Sequence, residues 1–267
     1  MAVNILDAYV HQEPNPQNIQ DLFSGEWSSA MLSGSGLTTT PGTANLFGDD
    51  RIKWAGQVFG GFKDMRALEL GPLEGGHSYM LHNMGAARVL AIEANTRAFL
   101  KCLCIKEIFG LDRVHFALGD FISYLKSQGT DSRYDVVLAS GVLYHMQHPM
   151  EMLDLIAKVT DRIFIWTHYY DAAVIEARRD LSKKFGRLET AEYQDFQYES
   201  IEYRYQDALN WQGFCGGSQP TSRWLSRNSI TDYLSVLGFK IHIGFDHPTH
   251  PNGPAFAICA LRDRDML

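Results

Sequence analysis

Residues 67–78, Ala67-Leu68-Glu69-Leu70-Gly71-Pro72-Leu73-Glu74-Gly75-Gly76-His77-Ser78, decide the fold of this chain. A short apolar run leads into a cluster of glycines with one proline, and a segment that can form a helix follows. That order predicts a strand, a tight turn and a helix, the first βα unit of a nucleotide-binding α/β sheet. Glycines let the backbone approach a ligand without Cβ atoms in the way, so we expect the turn to bind one.

Two further apolar runs lead to carboxylates. Residues 88–93 end at Glu93, and residues 114–118 are followed by Gly119-Asp120-Phe121. An acid at the tip of the second strand is placed to grip a ribose diol, so Glu93 is the candidate ribose residue. Asp120 and Phe121 would offer an acceptor and an aromatic face to an adenine. Taken singly, Asp120 equally fits the N-cap of the helix that follows.

Strands and helices alternate from residue 67 to residue 167. We predict strands at 67–70, 88–92, 114–118, 134–139 and 162–167, separated by helices at 77–84, 96–109, 120–127 and 149–158. This alternation requires right-handed parallel crossovers and hence a three-layer α/β sandwich with its ligand cleft at the carboxyl ends of the strands. Apolar runs at 239–243 and 255–261 predict an antiparallel edge pair that completes a seven-stranded, mostly parallel sheet.

The ordered set of motifs resembles that of class I S-adenosylmethionine-dependent methyltransferases. The resemblance rests on Glu69-Leu70-Gly71 through Gly75, Glu93, Gly119-Asp120-Phe121 and residues 135–145. It implies a Rossmann-like methyltransferase fold, S-adenosylmethionine as cofactor, and methyl transfer to an oxygen or nitrogen nucleophile of a small molecule. In the family's usual E/D-x-G-x-G-x-G pattern this chain has Leu73 where the middle glycine would stand.

The resemblance also implies site residues. The expected cofactor-binding residues are Glu69, Gly71, Pro72, Leu73, Gly75, Glu93, Ala94, Asp120, Phe121, Ser140 and Gly141. The candidate catalytic residues are Tyr144, His145 and His168, because they follow the fourth and fifth predicted strands at the mouth of the cleft. An imidazole suits proton removal from a hydroxyl or an amine, and a structural or orienting role is the alternative for each histidine. The histidines have no tight ligand spacing, so no metal site is predicted.

Three alternative functions stay open. Residues Gly141-Val142-Leu143-Tyr144-His145 are particularly similar to a segment of the bacterial tRNA wobble-uridine carboxymethyltransferases, whose cofactor is a carboxylated relative of S-adenosylmethionine. An NAD(P)-dependent oxidoreductase would also have a glycine-rich turn, but the third glycine of its G-x-G-x-x-G is misplaced here. A non-catalytic subunit that binds an adenosine ligand is the third. The net charge of −7 argues against a general nucleic-acid surface.

The resemblance further predicts the domain organisation. Residues 1–60 would be an N-terminal extension packed on the core as a lid, with Trp27 as either a lid aromatic or an anchor. Residues 61–267 would be the methyltransferase domain, with a substrate-cover insertion at about 171–222. The many tyrosines of that insertion equally fit a homodimer surface.

Cellular location is predicted from what the sequence lacks. No stretch approaches the ~20 apolar residues of a membrane span, so we expect no membrane association. The N-terminus has no secretory pattern, and the four cysteines fit reduced thiols better than a disulfide framework. A cytoplasmic location is therefore expected.

Overall fold

The computed structural model describes residues 9–128, 133–211, 213–214 and 216–262. In chain order, its elements up to the fifth strand are α1 (Pro16–Asp21), β1 (Trp27–Ser29), β2 (Pro41–Ala44), α2 (Asp50–Phe59), β3 (Arg66–Leu70), α3 (Gly76–Asn83), β4 (Arg88–Glu93), α4 (Thr96–Phe109) and β5 (Val114–Leu118). Next come α5 (Phe121–Ser127), β6 (Val136–Ser140), a 3₁₀ turn (Leu143–His145), α6 (Pro149–Val159), β7 (Arg162–His168), α7 (Ala172–Glu176) and α8 (Arg179–Ser182). The last are β8 (Phe185–Tyr193), β9 (Phe196–Arg204), a 3₁₀ turn (Gln206–Asn210), β10 (Thr221–Leu225), α9 (Arg227–Val236), β11 (Lys240–His247) and β12 (Ala255–Leu261).

The centre of the molecule is a seven-stranded sheet in the order β11-β12-β7-β6-β3-β4-β5. The strands from β7 to β5 in this order are parallel, and β12 runs antiparallel to both of its neighbours. The predicted mostly parallel sheet with an antiparallel C-terminal hairpin is therefore confirmed. Among the described residues, no helix is both long and apolar enough to cross a membrane.

The sheet is covered on both faces. Successive residues of a strand point to opposite faces, and in β6 the four residues from Val136 to Ala139 are all 0% exposed. Val136 and Leu138 pack into an apolar core that includes residues of α2, α3 and α4, whereas Val137 and Ala139 pack into one that includes residues of α6 and α9. Burial on both faces explains why this strand is uniformly apolar.

Local capping signals set the bounds of the best-predicted helix. The side chain of Asn95 accepts hydrogen bonds from the backbone N–H groups of Arg97 and Ala98, so α4 begins directly after it. The helix ends before Gly110, which has a left-handed φ of +60°. Such caps are readable from sequence because they depend on residues adjacent to the helix itself. The predicted helix at 96–109 therefore has the observed bounds.

The region between β7 and α9 contains a second sheet in the order β10-β9-β8, where sequence analysis predicted an insertion but no strands. The turn between β8 and β9 is formed by Gln194 and Asp195, with φ of +50° and +62°. A two-residue turn with both φ values positive normally has Asn-Gly or Asp-Gly. Gln-Asp gives no such signal, so the hairpin was not recognisable from the sequence.

The N-terminal segment is anchored to the core by its first strand. Trp27 is 0% exposed, and its Nε1 donates a hydrogen bond to the carbonyl oxygen of Gln20 at 2.9 Å. The Glu74 carboxylate accepts the backbone N–H groups of Ser28 and Ser29 at 2.9 and 2.8 Å. Trp27 is therefore an anchor, and the lid-aromatic interpretation is wrong for it because its indole is buried.

The Gly/Ser/Thr-rich run that ends at Gly42 has a composition typical of a loop, but it is flanked by regular structure. β1 and β2 form a short parallel pair in which Trp27 lies opposite Pro41. The Gly/Ser/Thr-rich composition gave no indication of this pair. A parallel pair joins segments that are not adjacent in sequence, so local composition does not predict it.

Candidate active site

The candidate site begins at the turns that follow β3 and β6, where the strand order of the sheet reverses. In open α/β sheets, ligands bind at this reversal, outside the carboxyl ends of the strands. Gly71 and Gly141 follow the two strands with φ of +64° and +81°. A Cβ atom on Gly71 would lie 2.5 Å from Cγ1 of Val142. Only glycine therefore allows the two turns to pack this closely.

Leu73 takes the backbone conformation of the glycine that it replaces. Its φ is +57°, a left-handed value that costs a side-chain-bearing residue roughly 1–2 kcal/mol. Its backbone N–H donates to Oε2 of Glu93 at 3.1 Å. The turn after β3 thus keeps its conformation despite the energetic cost at Leu73, and the hydrogen bond to Glu93 connects this turn to the end of β4.

We expect Leu73→Gly to change the free energy of unfolding by less than ~1 kcal/mol, because relief of left-handed strain offsets the greater entropy of glycine in the unfolded chain. Leu73→Val should destabilise the protein by more than ~1 kcal/mol, since a β-branched residue tolerates positive φ poorly. Urea unfolding of both variants measures the difference. Equal losses would show that burial of the side chain, and not backbone conformation, governs position 73.

Glu93 is the last residue of β4 and lies beside this turn. Its side chain is buried, and besides the Leu73 N–H it accepts the backbone N–H of Asn95 at 2.8 Å. Burial raises the pKa of Glu93, while these backbone hydrogen bonds act in the opposite direction. The backbone N–H of Ala94 also interacts with the carboxylate, so three donors leave at least one of its four lone-pair sites for a ligand. The residue is therefore able to accept a hydrogen bond from a ligand diol. Ala94, next to it, is exposed.

The segment after β5 offers open space. A Cβ atom on Gly119 would have no heavy atom within 4 Å. The exposed Asp120 carboxylate accepts the Ile122 N–H and the Ser123 hydroxyl at 2.9 and 2.8 Å, so Asp120 is the N-cap of α5. Phe121 is 7% exposed and packs in the core. Asp120 therefore makes the helix-capping contacts that the alternative interpretation predicted. The space at Gly119 leaves room for a ligand beside it.

Two other predicted residues lie inside the protein. Glu69 is 2% exposed and accepts a hydrogen bond from the Ser78 hydroxyl; burial raises its pKa. A Cβ atom on Gly75 would lie 3.1 Å from the ring of Phe116, so this glycine is needed for packing. Pro72 is also buried. These three residues support the turn from within.

A second group of residues lies beyond the half-buried Ser140, which is opposite Trp166 in the sheet. We call this group the ring cluster, and its members are Tyr144, His145, Trp166, His168, Trp224 and His250. The ring centroid of Tyr144 is 4.0 Å from that of His145 and 4.7 Å from that of His168. His168 stacks on Trp224 at 5.0 Å with an interplanar angle of 8°. The structure thus brings the three candidate catalytic residues together.

Three other histidines, His148, His247 and His250, also fall in sequence near the carboxyl ends of the strands, and the structure places only one of them in this cluster. His250, from the loop before β12, has its ring centroid 5.0 Å from that of His168. His247 is exposed at the end of β11. His148 lines a separate surface cavity of about 360 Å³ with Lys126, Met150, Glu151, Tyr193 and Tyr198. In the part of the chain that the structure describes, no three His, Cys, Asp or Glu side chains are grouped to hold a metal ion.

Burial sets the protonation of the ring cluster. It lowers the pKa of His145 to about 3, with a smaller contribution from His168. It lowers the pKa of His168 to about 4, where His250 acts in the same direction. Burial raises the pKa of Tyr144. At neutral pH both imidazoles are therefore uncharged and the phenol keeps its proton.

Two arginines lie beside the ring cluster, and each pairs with a carboxylate. The guanidinium of Arg51 stands over the ring of Trp166 at 4.3 Å from its centroid. It also pairs with Asp49, at 2.5 Å. Arg178 donates to the backbone carbonyl oxygen of His250 at 3.2 Å and pairs with Asp180. Both charges are thus largely balanced by neighbouring carboxylates, and the cluster itself consists of uncharged rings.

Sequence analysis missed several members of this site. Trp166, Trp224 and Arg51 received no role, and Tyr205 was only one of the many tyrosines of the insertion. Trp224 reaches the cluster because β10 pairs with β9, which places it opposite Ile201. Since that pairing is non-local, the sequence offered no signal beyond the density of aromatic residues.

The chain matches the family described as "Methyltransferase domain" over residues 62–208. No curated protein matches the chain significantly. The N-terminal domain of EvdMO1, solved in the presence of SAH and D-fucose, is similar with a TM-score of 0.67 and 21% identity over 93% of this chain and 95% of that chain.

Two further structures share the fold. Magnesium protoporphyrin IX methyltransferase (ChlM) from Synechocystis PCC 6803, with bound SAH, has a TM-score of 0.55 and 16% identity over 80% of this chain and 81% of that chain. The 1,6-didemethyltoxoflavin-N1-methyltransferase from Burkholderia thailandensis has a TM-score of 0.52 and 14% identity over 82% of this chain and 79% of that chain.

The residues present fit S-adenosylmethionine. The glycine-rich turn allows a ligand to approach the backbone closely, Glu93 is a buried carboxylate with remaining acceptor capacity at the end of β4, and there is open space at Gly119. The family match covers more than half of the chain, and the similar structures hold SAH. The chain therefore belongs to this methyltransferase family and is a class I S-adenosylmethionine-dependent methyltransferase.

Proposed function

We propose that the protein methylates an oxygen or nitrogen atom of a small molecule, and that the acceptor reacts beside His145 and His168. The observation that carries this proposal is the position of the ring cluster. It lies at the carboxyl ends of β6 and β7, and a Cβ atom on Gly141 would be 3.7 Å from the Tyr144 hydroxyl. An acceptor bound there would lie next to the turn after β6, which packs against Gly71 in the turn after β3.

When bound, S-adenosylmethionine supplies the electrophilic methyl group, so the protein mainly aligns the acceptor and removes its proton. An uncharged imidazole is able to accept that proton from a hydroxyl or an amine. His145 and His168 are both uncharged at neutral pH because burial lowers their pKa values. The surrounding rings exclude water, which strengthens the electrostatic interactions inside the site.

Several observations support a small acceptor over a nucleic acid. The cluster is built of uncharged rings, and its neighbouring cations Arg51 and Arg178 are both paired with carboxylates. The chain carries a net charge of −7. Backbone binding to a nucleic acid would need clustered lysines and arginines. EvdMO1 was crystallised with D-fucose, and the Burkholderia enzyme with 1,6-didemethyltoxoflavin, both small molecules. We infer a ring-shaped, uncharged acceptor.

The test is transfer of label from methyl-labelled S-adenosylmethionine. The protein is incubated with a bacterial small-molecule extract, with D-fucose and with total tRNA in parallel, and the label is followed by mass spectrometry. Label in a low-molecular-weight product supports the proposal. Label only in tRNA would overturn it in favour of the tRNA-modifying alternative.

On the cofactor side, we propose that Glu93 holds the ribose diol, with Ala94, Asp120 and Phe121 beside the adenine. Gly71, Pro72, Leu73 and Gly75 would form the turn under the methionine part, supported by Glu69 and continued by Ser140 and Gly141. The remaining acceptor capacity of the Glu93 carboxylate and the space at Gly119 support this assignment.

Glu93→Ala is expected to weaken binding of S-adenosylhomocysteine by ~1.5–3 kcal/mol, because a partly buried carboxylate that accepts ribose hydroxyls is lost. The fold should survive. Calorimetry with the variant measures the affinity, and Asp120→Ala serves as the comparison. The comparison variant should lose ~1 kcal/mol of stability from its helix cap. Undiminished affinity in folded Glu93→Ala protein would show that Glu93 is structural.

We also propose the domain organisation in which the N-terminal extension packs on the core over residues 9–60 and the described part of the insertion at about 171–222 covers the acceptor. Residues 1–8 of the predicted extension and residues 212 and 215 of the insertion lie outside the described residues. Contacts of the insertion with residues on both sides of the cleft support its role as a cover. The side-chain amide of Asn95, beside Glu93, donates to the carbonyl oxygen of Phe214 at 3.3 Å. A Cβ atom on Gly217 would be 3.2 Å from the carbonyl oxygen of His145. The insertion thus reaches from the cofactor side to the acceptor side.

A further inference from the structure

The hydroxyl of Tyr205, a residue of the insertion, has two hydrogen-bond neighbours, and the Ser222 hydroxyl interacts with it as well. Nδ1 of His145 lies 2.7 Å from it, and the carbonyl oxygen of Gly216 is the second neighbour. A carbonyl oxygen only accepts hydrogen bonds, and a hydroxyl has a single proton to donate. Tyr205 therefore donates to Gly216, and its oxygen must accept a hydrogen bond from His145.

This pattern fixes the tautomer of His145. Its Nδ1 carries the proton, because it donates to the Tyr205 oxygen. Burial lowers the pKa of His145 to about 3, so the ring holds only one proton at neutral pH. A neutral imidazole protonated at Nδ1 has its lone pair on Nε2. Nε2 is the atom that can accept a proton from an acceptor.

His168 is oriented in the same way by the main chain. Its Nδ1 lies 2.8 Å from the carbonyl oxygen of Gly253 and 3.2 Å from that of Pro254. Both are acceptors, so Nδ1 of His168 is also protonated and its lone pair is on Nε2. The two imidazoles differ in the group that accepts the hydrogen bond from Nδ1. For His168 it is a backbone carbonyl, whereas for His145 it is the Tyr205 side chain, which can be substituted.

We propose that Tyr205 is a positioning residue that holds His145 in the tautomer with an unprotonated Nε2, and that the Gly216 carbonyl completes this arrangement. The proposal rests on the proposed function, because only an acceptor that reacts beside His145 provides a proton for its Nε2 to accept. Since Tyr205 and Gly216 both belong to the insertion, the base takes its competent tautomer only when the insertion lies over it.

The surroundings of the two imidazoles define what else could influence them. The titratable and charged side chains that face them are Tyr144 from the 3₁₀ turn after β6, Tyr205 after β9, His250 from the loop before β12 and Arg51 from α2. None of these four is a carboxylate. The Tyr205 hydroxyl is thus the group that decides which nitrogen of His145 is protonated.

The test is nitrogen NMR of protein labelled with ¹⁵N in its histidine rings, with S-adenosylhomocysteine added. The His145 signals are assigned by their loss in His145→Gln. In the unsubstituted protein we expect His145 to be protonated at Nδ1 at neutral pH. Tyr205→Phe should shift the tautomer ratio of His145 about tenfold towards Nε2 protonation and leave His168 unchanged. Tyr203→Phe, whose ring stacks on Trp224 at 4.9 Å, is the matched control and should leave both unchanged.

The outcomes separate this proposal from the proposed function. Protonation of His145 at Nε2 in the unsubstituted protein overturns the proposal, even if Tyr205→Phe does not fold. An unchanged tautomer in folded Tyr205→Phe protein also overturns it. With an acceptor in hand, Tyr205→Phe should lower kcat and leave the KM for S-adenosylmethionine unchanged. A tautomer shift without methyl transfer to any small molecule would instead leave the tautomer assignment intact and remove the proposed function.

Discussion

Replacing His145 and His168 one at a time is expected to lower turnover by ~10²–10⁴-fold in at least one of the variants His145→Gln and His168→Gln, the usual contribution of a positioned general base. Both imidazoles are uncharged, both have Nδ1 bonded to an acceptor, and both lie within 4.7 Å of the Tyr144 ring, centroid to centroid. Affinity for S-adenosylhomocysteine should change little, because the proposed cofactor contacts come from other strand ends. Turnover is measured with the acceptor found by label transfer, and affinity by calorimetry.

The pH dependence of kcat/KM tests the histidine assignment independently. A histidine whose pKa is lowered on folding stays neutral well below its usual value of ~6.5, so the acid limb of kcat/KM should not fall near that pH. The pKa values of about 3 for His145 and about 4 for His168 place the acid limb at a lower pH. For the same reason the stability contribution of these rings is full above pH ~6.5 and is lost as the pH falls towards their folded values.

His148→Gln is the matched control, because this histidine lines a cavity away from the ring cluster. It should retain full turnover. If both His145→Gln and His168→Gln also retain full turnover, the base assignment is wrong. If either loses affinity for S-adenosylhomocysteine, that residue belongs to the cofactor wall.

Lys101→Met is expected to lower the free energy of unfolding by ~3–5 kcal/mol, because it leaves a buried carboxylate without its cation. Nζ of Lys101 lies 2.7 Å from Oε1 of Glu74, and the two side chains are 2% and 0% exposed. The same ammonium donates to the carbonyl oxygen of Glu26 at 2.7 Å. The substitution therefore affects the anchor between the N-terminal segment and the glycine-rich turn. Urea unfolding measures the loss.

Two further variants distinguish the ion pair from a general effect on α4. Lys106→Met removes an ammonium of the same helix that donates to the carbonyl oxygen of Val114, and should cost only ~0.5–1.5 kcal/mol. Adding Glu74→Gln to Lys101→Met should recover ~1 kcal/mol or more, because the buried group is then uncharged. A Lys101→Met loss no larger than that of Lys106→Met would show that the pair is not the anchor.

The order of the elements was determined by the sequence, since its signals are local. A glycine cluster after an apolar run predicts the turn that follows β3, and Asn95 and Gly110 mark the two ends of α4. Alternating strands and helices then require a parallel sheet with its cleft at the carboxyl ends. The position of Glu93 followed from this order, because it ends a strand and the strand ends share one edge.

The tertiary structure alone decided how the side chains meet. The hydroxyl of Tyr205 reaches His145, and the ring of Trp224 stacks on His168, across long stretches of chain. Asp120 illustrates the same limit: its sequence position fitted both a helix cap and a ligand contact, and only the structure shows which backbone groups it bonds. Burial, which sets the pKa of both histidines, results from the packing of all the surrounding elements. A local pattern therefore predicts where a strand ends, whereas tautomer, charge and contact depend on residues distant in the chain.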